Sequence, residues 1–204
     1  MLIVEVSPIS QSRYSIRTDT GESFVLYKGE LRKYGIREGE ELPDSVYEEI
    51  VGTVLKMRAR KRAMNLLERT DRTELELTTK LEKDGYPASC VEDALIYVKK
   101  FGYLNDDRYM EVFVRGKSAR KSRKEIEYLL IQKGFSRDDI AAKLDSMDSE
   151  VSDRSVIESL IRKKNFDFNS DDKKKKDKMI QYLMRKGFQY RDICHVIQML
   201  SDDA

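Results

Sequence analysis

Apolar positions recur along this chain in a pattern that is itself repeated. Leu130-Ile131-Gln132-Lys133-Gly134-Phe135 has an earlier counterpart in Leu81-Glu82-Lys83-Asp84-Gly85-Tyr86 and a later one in Leu183-Met184-Arg185-Lys186-Gly187-Phe188. The three glycines stand 49 and 53 positions apart, a period that predicts one helical unit used three times. Eight and four positions before each glycine come Leu77 and Leu81, Ile126 and Leu130, and Met179 and Leu183. Six and ten positions after it come Val91 and Leu95, Ile140 and Leu144, and Ile193 and Ile197. A spacing of four puts each pair on one helix face, so these positions are read as core. The glycine sits where the first of the two helices must stop, in a position that calls for positive φ. The aromatic after it is placed to fold back on that helix.

The flanking sequence supplies the rest of the plan. Thr73 with Glu76, and Ser122 with Glu125, read as capping boxes twelve residues before their repeat glycines. The third repeat has Lys175 at that place, so its cap is expected at Asp171 or Asp172 on a longer helix. Each unit then reads helix, loop, helix, Gly-aromatic turn, helix, over roughly 59–100, 105–147 and 153–201. Ahead of them, Leu2, Val4 and Val6 alternate with other residues. Tyr14 and Ile16 enter, and Phe24 to Leu26 leave, an Asp19-Thr20-Gly21-Glu22 turn, which predicts a small hairpin-containing sheet. Leu31 to Tyr34 reads as a short helix. Pro43-Asp44-Ser45 opens a long helix running to about Glu68, with Gly52 as a weak point. The expected fold is mainly α: three tandem three-helix repeats in an elongated, curved body with an N-terminal strand-rich extension. The expected divisions are 1–43, 44–104, 105–149 and 150–204.

Composition agrees with such an array. Of the 204 residues 40% are hydrophobic and 37% charged, more charge than a compact domain usually carries. A repeat array has more surface per residue. The net charge is only +2, so any basic patch must come from segregation. Cys90 and Cys194 lie on apolar stripes and read as buried thiols rather than a metal knuckle or disulfide pair. The start is too short and too soon charged for a signal peptide, and no run approaches a membrane helix, so cytoplasm is the expected location.

Little in the chain suggests catalysis. The single histidine, His195, falls in the last helix and reads as structural or surface. Gly116-Lys117-Ser118 lacks the upstream glycine and strand of a phosphate loop. Asp106-Asp107 and Asp171-Asp172 are better explained as helix starts than as paired catalytic carboxylates. No enzyme, metal or cofactor is expected. The informative charge is positive: residues 115–124 carry Arg115, Lys117, Arg120, Lys121, Arg123 and Lys124 with no acid, across the loop between the first two helices of the middle repeat. Such a run suits phosphates or an acidic protein groove, and the helix start at Ser122 is expected to add free amides. Arg69 and Arg72 occupy the equivalent loop one repeat earlier. Lys56, Arg58, Arg60, Lys61 and Arg62 form a second group and Lys173 to Lys176 with Lys178 a third; for Lys173 to Lys176, beside Asp171-Asp172, a solvated face is the plainer reading. Tyr109 and Phe113 precede the basic run at core spacing rather than as base-stacking residues.

Three stretches stand in a telling order: Arg69-Thr-Asp-Arg-Thr73-Glu-Leu-Glu-Leu77, Lys80-Leu81 with Gly85-Tyr86, and Gly102-Tyr-Leu-Asn-Asp106-Asp-Arg108-Tyr. Ile126, Leu130 and Lys133-Gly134-Phe135 follow them. In these residues and their spacing the chain resembles the RecX family, regulators of the RecA recombinase. The resemblance covers about 57–145 well and the third repeat loosely. Ser122 stands where the family usually has glycine, Leu129 where a glutamate is common, and a lysine-rich insertion precedes the third repeat. The resemblance implies a non-enzymatic modulator that binds the RecA filament on single-stranded DNA and damps ATP hydrolysis and strand exchange. It places the contact at Arg69, Arg72, Arg115, Lys117, Arg120, Lys121, Arg123 and Lys124. A monomer is the expected state. The alternatives are a general nucleic-acid-binding helical repeat protein and a protein-interaction scaffold.

Overall fold

The computed structural model describes residues 1–147, 152–164 and 173–202, in two compact units that divide after Asp106. The caps expected at Asp171 and Asp172, and the second half of the acidic Asp145–Glu150 separator, lie outside the described residues. No described helix is long and apolar enough to cross a membrane.

The first unit opens with an antiparallel sheet of three strands in the order β1 (Ile3–Pro8), β2 (Arg13–Thr18), β3 (Ser23–Tyr27). Ile16 pairs with Val6 on one side and Phe24 on the other. The facing of β1 differs from the expectation set by Leu2, Val4 and Val6. Ile3 is the buried residue, while Leu2 and Val4 are exposed. The cause is an irregularity in register between Ile3 and Glu5, which leaves Val4 as an extra residue and turns Val6 back toward the core.

Helix α1 (Lys28–Lys33) follows β3 directly. The long helix predicted from Pro43 is present but not regular: α2 (Asp44–Glu49) and α3 (Lys56–Arg69) are joined by a π-helical segment, Ile50–Leu55. Gly52 lies inside it. The Val51 carbonyl there accepts from the Lys56 N–H and from the Cys90 thiol at 3.7 Å. Helices α4 (Glu74–Lys83) and α5 (Ala88–Lys100) complete the first repeat. One continuous core joins Ile3, Ile16, Phe24 and Leu26 of the sheet to Leu55, Ala59, Leu77, Leu81 and Val98 of the helices. The small sheet, marginal alone, is thereby docked.

The second unit contains α6 (from Asp106 to Ser118), α7 (Arg123–Gln132) and α8 (Arg137–Ser146), then α9 (Asp153–Lys163), α10 (Lys173–Arg185) and α11 (Tyr190–Asp202). Each trio has its own core, one around Ile126, Leu130 and Ile140, the other around Ile157, Leu183 and Ile193.

The three Gly-aromatic turns are built alike. Gly85, Gly134 and Gly187 have φ of 89°, 95° and 92°. In each, the glycine N–H bonds three residues back and the following aromatic N–H bonds five back, to Leu81, Leu130 and Leu183 at 3.2, 3.3 and 3.3 Å. These paired bonds close the orphan carbonyls at the helix end, and the aromatic packs on the core its leucine belongs to.

Cys90 is buried, and burial pushes its thiol above the ordinary value. Cys194 is only half-buried, because its helix position lies at the margin of the third core rather than inside it. His195 is exposed.

Candidate functional site

The basic run at 115–124 occupies one short stretch of backbone. Arg115 and Lys117 stand in the last turn of α6, Arg120 and Lys121 in the connecting turn, and Arg123 and Lys124 in the first turn of α7. The turn is fixed from within. The Ser122 hydroxyl accepts the Glu125 N–H at 3.2 Å and donates to the Lys186 carbonyl at 2.7 Å. The reciprocal half of this box is not made as expected, because the Glu125 carboxylate pairs with Lys121 instead. In the first repeat both halves form: Thr73 Oγ1 accepts from Glu76 at 3.2 Å, and the Glu76 carboxylate accepts the Thr73 N–H at 3.2 Å.

Two of the amides expected to be free at the start of α7, those of Arg123 and Glu125, are already taken. Asp153, the first residue of α9, accepts the Arg123 N–H at 2.8 Å. In the first repeat Asp106 accepts the Glu74 N–H at 3.0 Å. A carboxylate supplied from further along the chain thus covers each helix start, where it meets the partial positive charge. Both acids are pulled from water by the packing, and that burial raises their pKa above the ordinary aspartate value despite the backbone bond.

These arrangements sort the candidate cations. Arg115 pairs with Glu111 at 2.9 Å, Lys121 with Glu125, and Arg123 with Asp145. Lys117, Arg120 and Lys124 are exposed and have no carboxylate partner among the described residues. The Lys117 ammonium lies 5.9 Å from the Phe113 ring centre. Arg69 is exposed at the end of α3, and Arg72 is half-buried with its Nε sealed from solvent and unbonded. Arg69 and Arg72 belong to the first unit and the other six to the second.

Three of the arginines in the group from Lys56 to Arg62 are paired within the protein. Arg60 grips Asp93 through two bonds of 2.6 and 2.7 Å, Arg62 bonds Asp84 at 2.7 Å, and Arg58 pairs with Glu30. Lys173 to Lys176 form the mostly exposed start of α10. Tyr109 and Phe113 stack on one another at 6.2 Å, with Phe135 also against Tyr109, so they serve packing.

Side chains that periodicity alone did not single out surround Lys124. It lines a groove with Tyr128, Met184, Lys186 and Gly187. Tyr128 and Met184 are 60% and 50% exposed. The spacing of Tyr128 four residues after Lys124 was the available signal, since it places the ring on the same outer face of α7. No group of three or more histidine, cysteine or acidic side chains able to hold a metal occurs among the described residues.

The described residues define a protein of three successive three-helix domains, with tightly capped turns and an acid-free basic run at the first loop of the middle one. Residues 59–97 match the RecX first three-helix domain, 105–144 the second and 153–197 the third. The chain belongs to the RecX family. It is 28% identical over 196 residues to the regulatory protein RecX of Clostridium perfringens strain SM101, covering 95% of this chain and 92% of that one. The regulatory protein RecX of Caldanaerobacter subterraneus is 28% identical over 183 residues, covering 89% and 90%. Among solved structures, a crystal structure of regulatory protein RecX superposes with a TM-score of 0.61 at 24% identity and covers 98% of both chains. RecX from Lactobacillus salivarius gives the same score and identity over 72% of this chain and 96% of that one.

Proposed function

We propose that this chain is a non-enzymatic modulator of the RecA recombinase. It acts as a cytoplasmic monomer that binds the RecA–single-stranded-DNA filament and lowers its ATP turnover and strand exchange. The observation that carries this reading is the full set of three RecX domains in order, in a chain whose curated relatives are named regulatory proteins. The exposed, carboxylate-free cations Lys117, Arg120 and Lys124 support it, because a surface that meets DNA phosphates needs positive charge not already neutralised. Arg69 and Arg72 are assigned the same role in the first repeat.

The test is ATP turnover by the cognate recombinase on single-stranded DNA, titrated with this protein, with bare-DNA binding measured in the same buffer. Suppression well below the DNA-site concentration is the expected result. A fall in turnover only when the DNA is itself saturated would reduce the activity to competition for DNA. Unchanged turnover would overturn the proposal and leave a plain nucleic-acid binder or a protein scaffold, which the binding curve separates.

A further inference from the structure

Three guanidinium groups from separate parts of the first unit line one cavity of about 260 Å³. Arg13 comes from the start of β2, and Arg58 and Arg62 lie four residues apart on one face of α3. The remaining wall is Val25, Leu26 and Tyr27 of β3 with Asp84 and Tyr86 of the turn after α4. The wall closes because residue 85 is glycine: a Cβ there would run into the Val25 side chain.

The bonds these arginines make within the protein use only part of their donors. Arg13 Nη2 donates to the Asp84 carbonyl at 2.9 Å, and Arg62 Nε donates to the Asp84 carboxylate at 2.7 Å. Arg58 pairs with Glu30, reaches the Val25 carbonyl at 3.5 Å and lies 4.5 Å from the Tyr27 ring centre. A guanidinium carries five N–H donors. Among the described residues, both terminal nitrogens of Arg62 and the Nε and Nη1 of Arg13 have no protein acceptor. None of those atoms is sealed from solvent, unlike Arg72 Nε. Lys80 adds a further cation, 3.2 Å from Asp84. Arg13, Arg58, Arg62 and Lys80 thus face two carboxylates, Glu30 and Asp84. Stapling the sheet to α3 and α4 needs fewer cations than that and leaves both positive charge and open donors at the cavity.

We propose that this cavity binds a phosphoryl group, from a free phosphate ester or from a nucleic-acid backbone, held by Arg13 and Arg62 with Tyr86 beside them. The planar guanidinium fork matches two phosphate oxygens at once, which an ammonium does not. Tyr27, 43% exposed at the rim, offers a ring on which an attached base stacks. The site lies in the first unit and is independent of the cations at 115–124.

The test is amide-resonance mapping of the isotope-labelled full chain, titrated with inorganic pyrophosphate and separately with an oligothymidylate. Saturable shifts at Val25, Tyr27, Gly85 and Tyr86 are expected. Pyrophosphate alone producing them identifies a free ester as the source, and the oligonucleotide alone identifies a backbone phosphate; either supports the site. The double substitution Arg13→Gln, Arg62→Gln should weaken the effective probe roughly tenfold, as loss of charge-assisted bonds implies. No saturable shift at those positions with either probe overturns the proposal, as does binding unchanged in a folded double variant. If the double variant does not fold, Arg13→Lys replaces it. It keeps the charge and loses the fork, so unchanged binding in that variant also overturns the site.

Discussion

Asp153, at the start of α9, accepts the backbone N–H of Arg123, at the start of α7, at 2.8 Å, and Asp106 does the same for Glu74 at 3.0 Å. The acid closes a helix end that the repeat's own cap leaves partly open. Asp153→Ala removes the acceptor and should cost about 1 kcal/mol, as losing a helix cap does. Asp153→Asn keeps an acceptor and removes a half-buried charge, so it should stay within about 0.5 kcal/mol of the parent at neutral pH. Chemical denaturation of both variants checks the pair.

The pH dependence of that comparison has a definite sign. Burial holds the Asp153 carboxyl above its unfolded pKa, so between the two values the folded state binds more protons. Stability from this group is therefore fully present below the unfolded aspartate pKa and lost as pH rises through the folded one. The parent should lose stability relative to Asp153→Asn across that window and run parallel to it above. A difference that grew in favour of the parent with rising pH would contradict the burial assignment.

Asp93 gives the opposite sign. The two-bond grip of Arg60 holds its carboxyl below the usual range, outweighing burial. Its contribution is present above the unfolded aspartate pKa and disappears as pH falls through the folded one. Arg60 is partly exposed, so Arg60→Gln should lower stability only modestly at neutral pH. Part of that cost comes from the Tyr97 ring, 5.1 Å from the guanidinium. The cost should shrink in acid, as denaturant midpoints taken over a pH series would show.

The glycines separate backbone strain from collision. Gly102 has φ of 70° and open space around it, so Gly102→Ala should cost only the left-handed strain of about 1 kcal/mol. At Gly187 an added Cβ would stand 2.8 Å from Ser122 Oγ, the atom that caps α7, and at Gly85 it would strike Val25. Gly187→Ala and Gly85→Ala should therefore each cost about 2 kcal/mol or more. Equal costs at all three positions would show that the close approaches are relieved by small shifts.

These residues also show what local sequence does and does not contain. The leucine, glycine and aromatic of each turn are neighbours in sequence and act through local bonds, so all three turns and the helices on either side were legible. So was the Thr73 box. The Asp153 and Asp106 contacts span about thirty residues, and nothing local distinguishes such an acid from an ordinary first-turn aspartate. For the same reason the Arg123 amide beside Ser122, expected to be free, proved to be occupied. The bulge in β1 reversed the facing of Leu2 and Val4, because one extra residue leaves no mark on an apolar run. In the charge runs, composition located the cations. The partners of Arg115 and Lys121 stand four residues away and were within local reach, whereas those of Arg60 and Arg123 are Asp93 and Asp145, twenty or more residues away.

That sorting of cations makes a functional prediction. Lys117, Arg120 and Lys124 carry charge that no described carboxylate offsets, whereas Arg115, Lys121 and Arg123 already hold acids. A phosphate meeting the first set displaces only water and counterions. Meeting the second, it must first break an ion pair. Replacing Lys117, Arg120 and Lys124 by glutamine should therefore weaken DNA or filament binding more than replacing the paired three. For single strands each lost phosphate contact lowers the salt slope by about 0.7, so the first triple variant should lose up to about 2 from its slope. The second should lose less, and should also lose some stability as Glu111, Glu125 and Asp145 are left without their partners. Binding isotherms at several salt concentrations, beside a denaturation curve for each variant, decide the matter. Equal losses would show that pairing does not decide which cations meet phosphate, and slopes unchanged from the parent in both variants would place the contacts elsewhere on the chain.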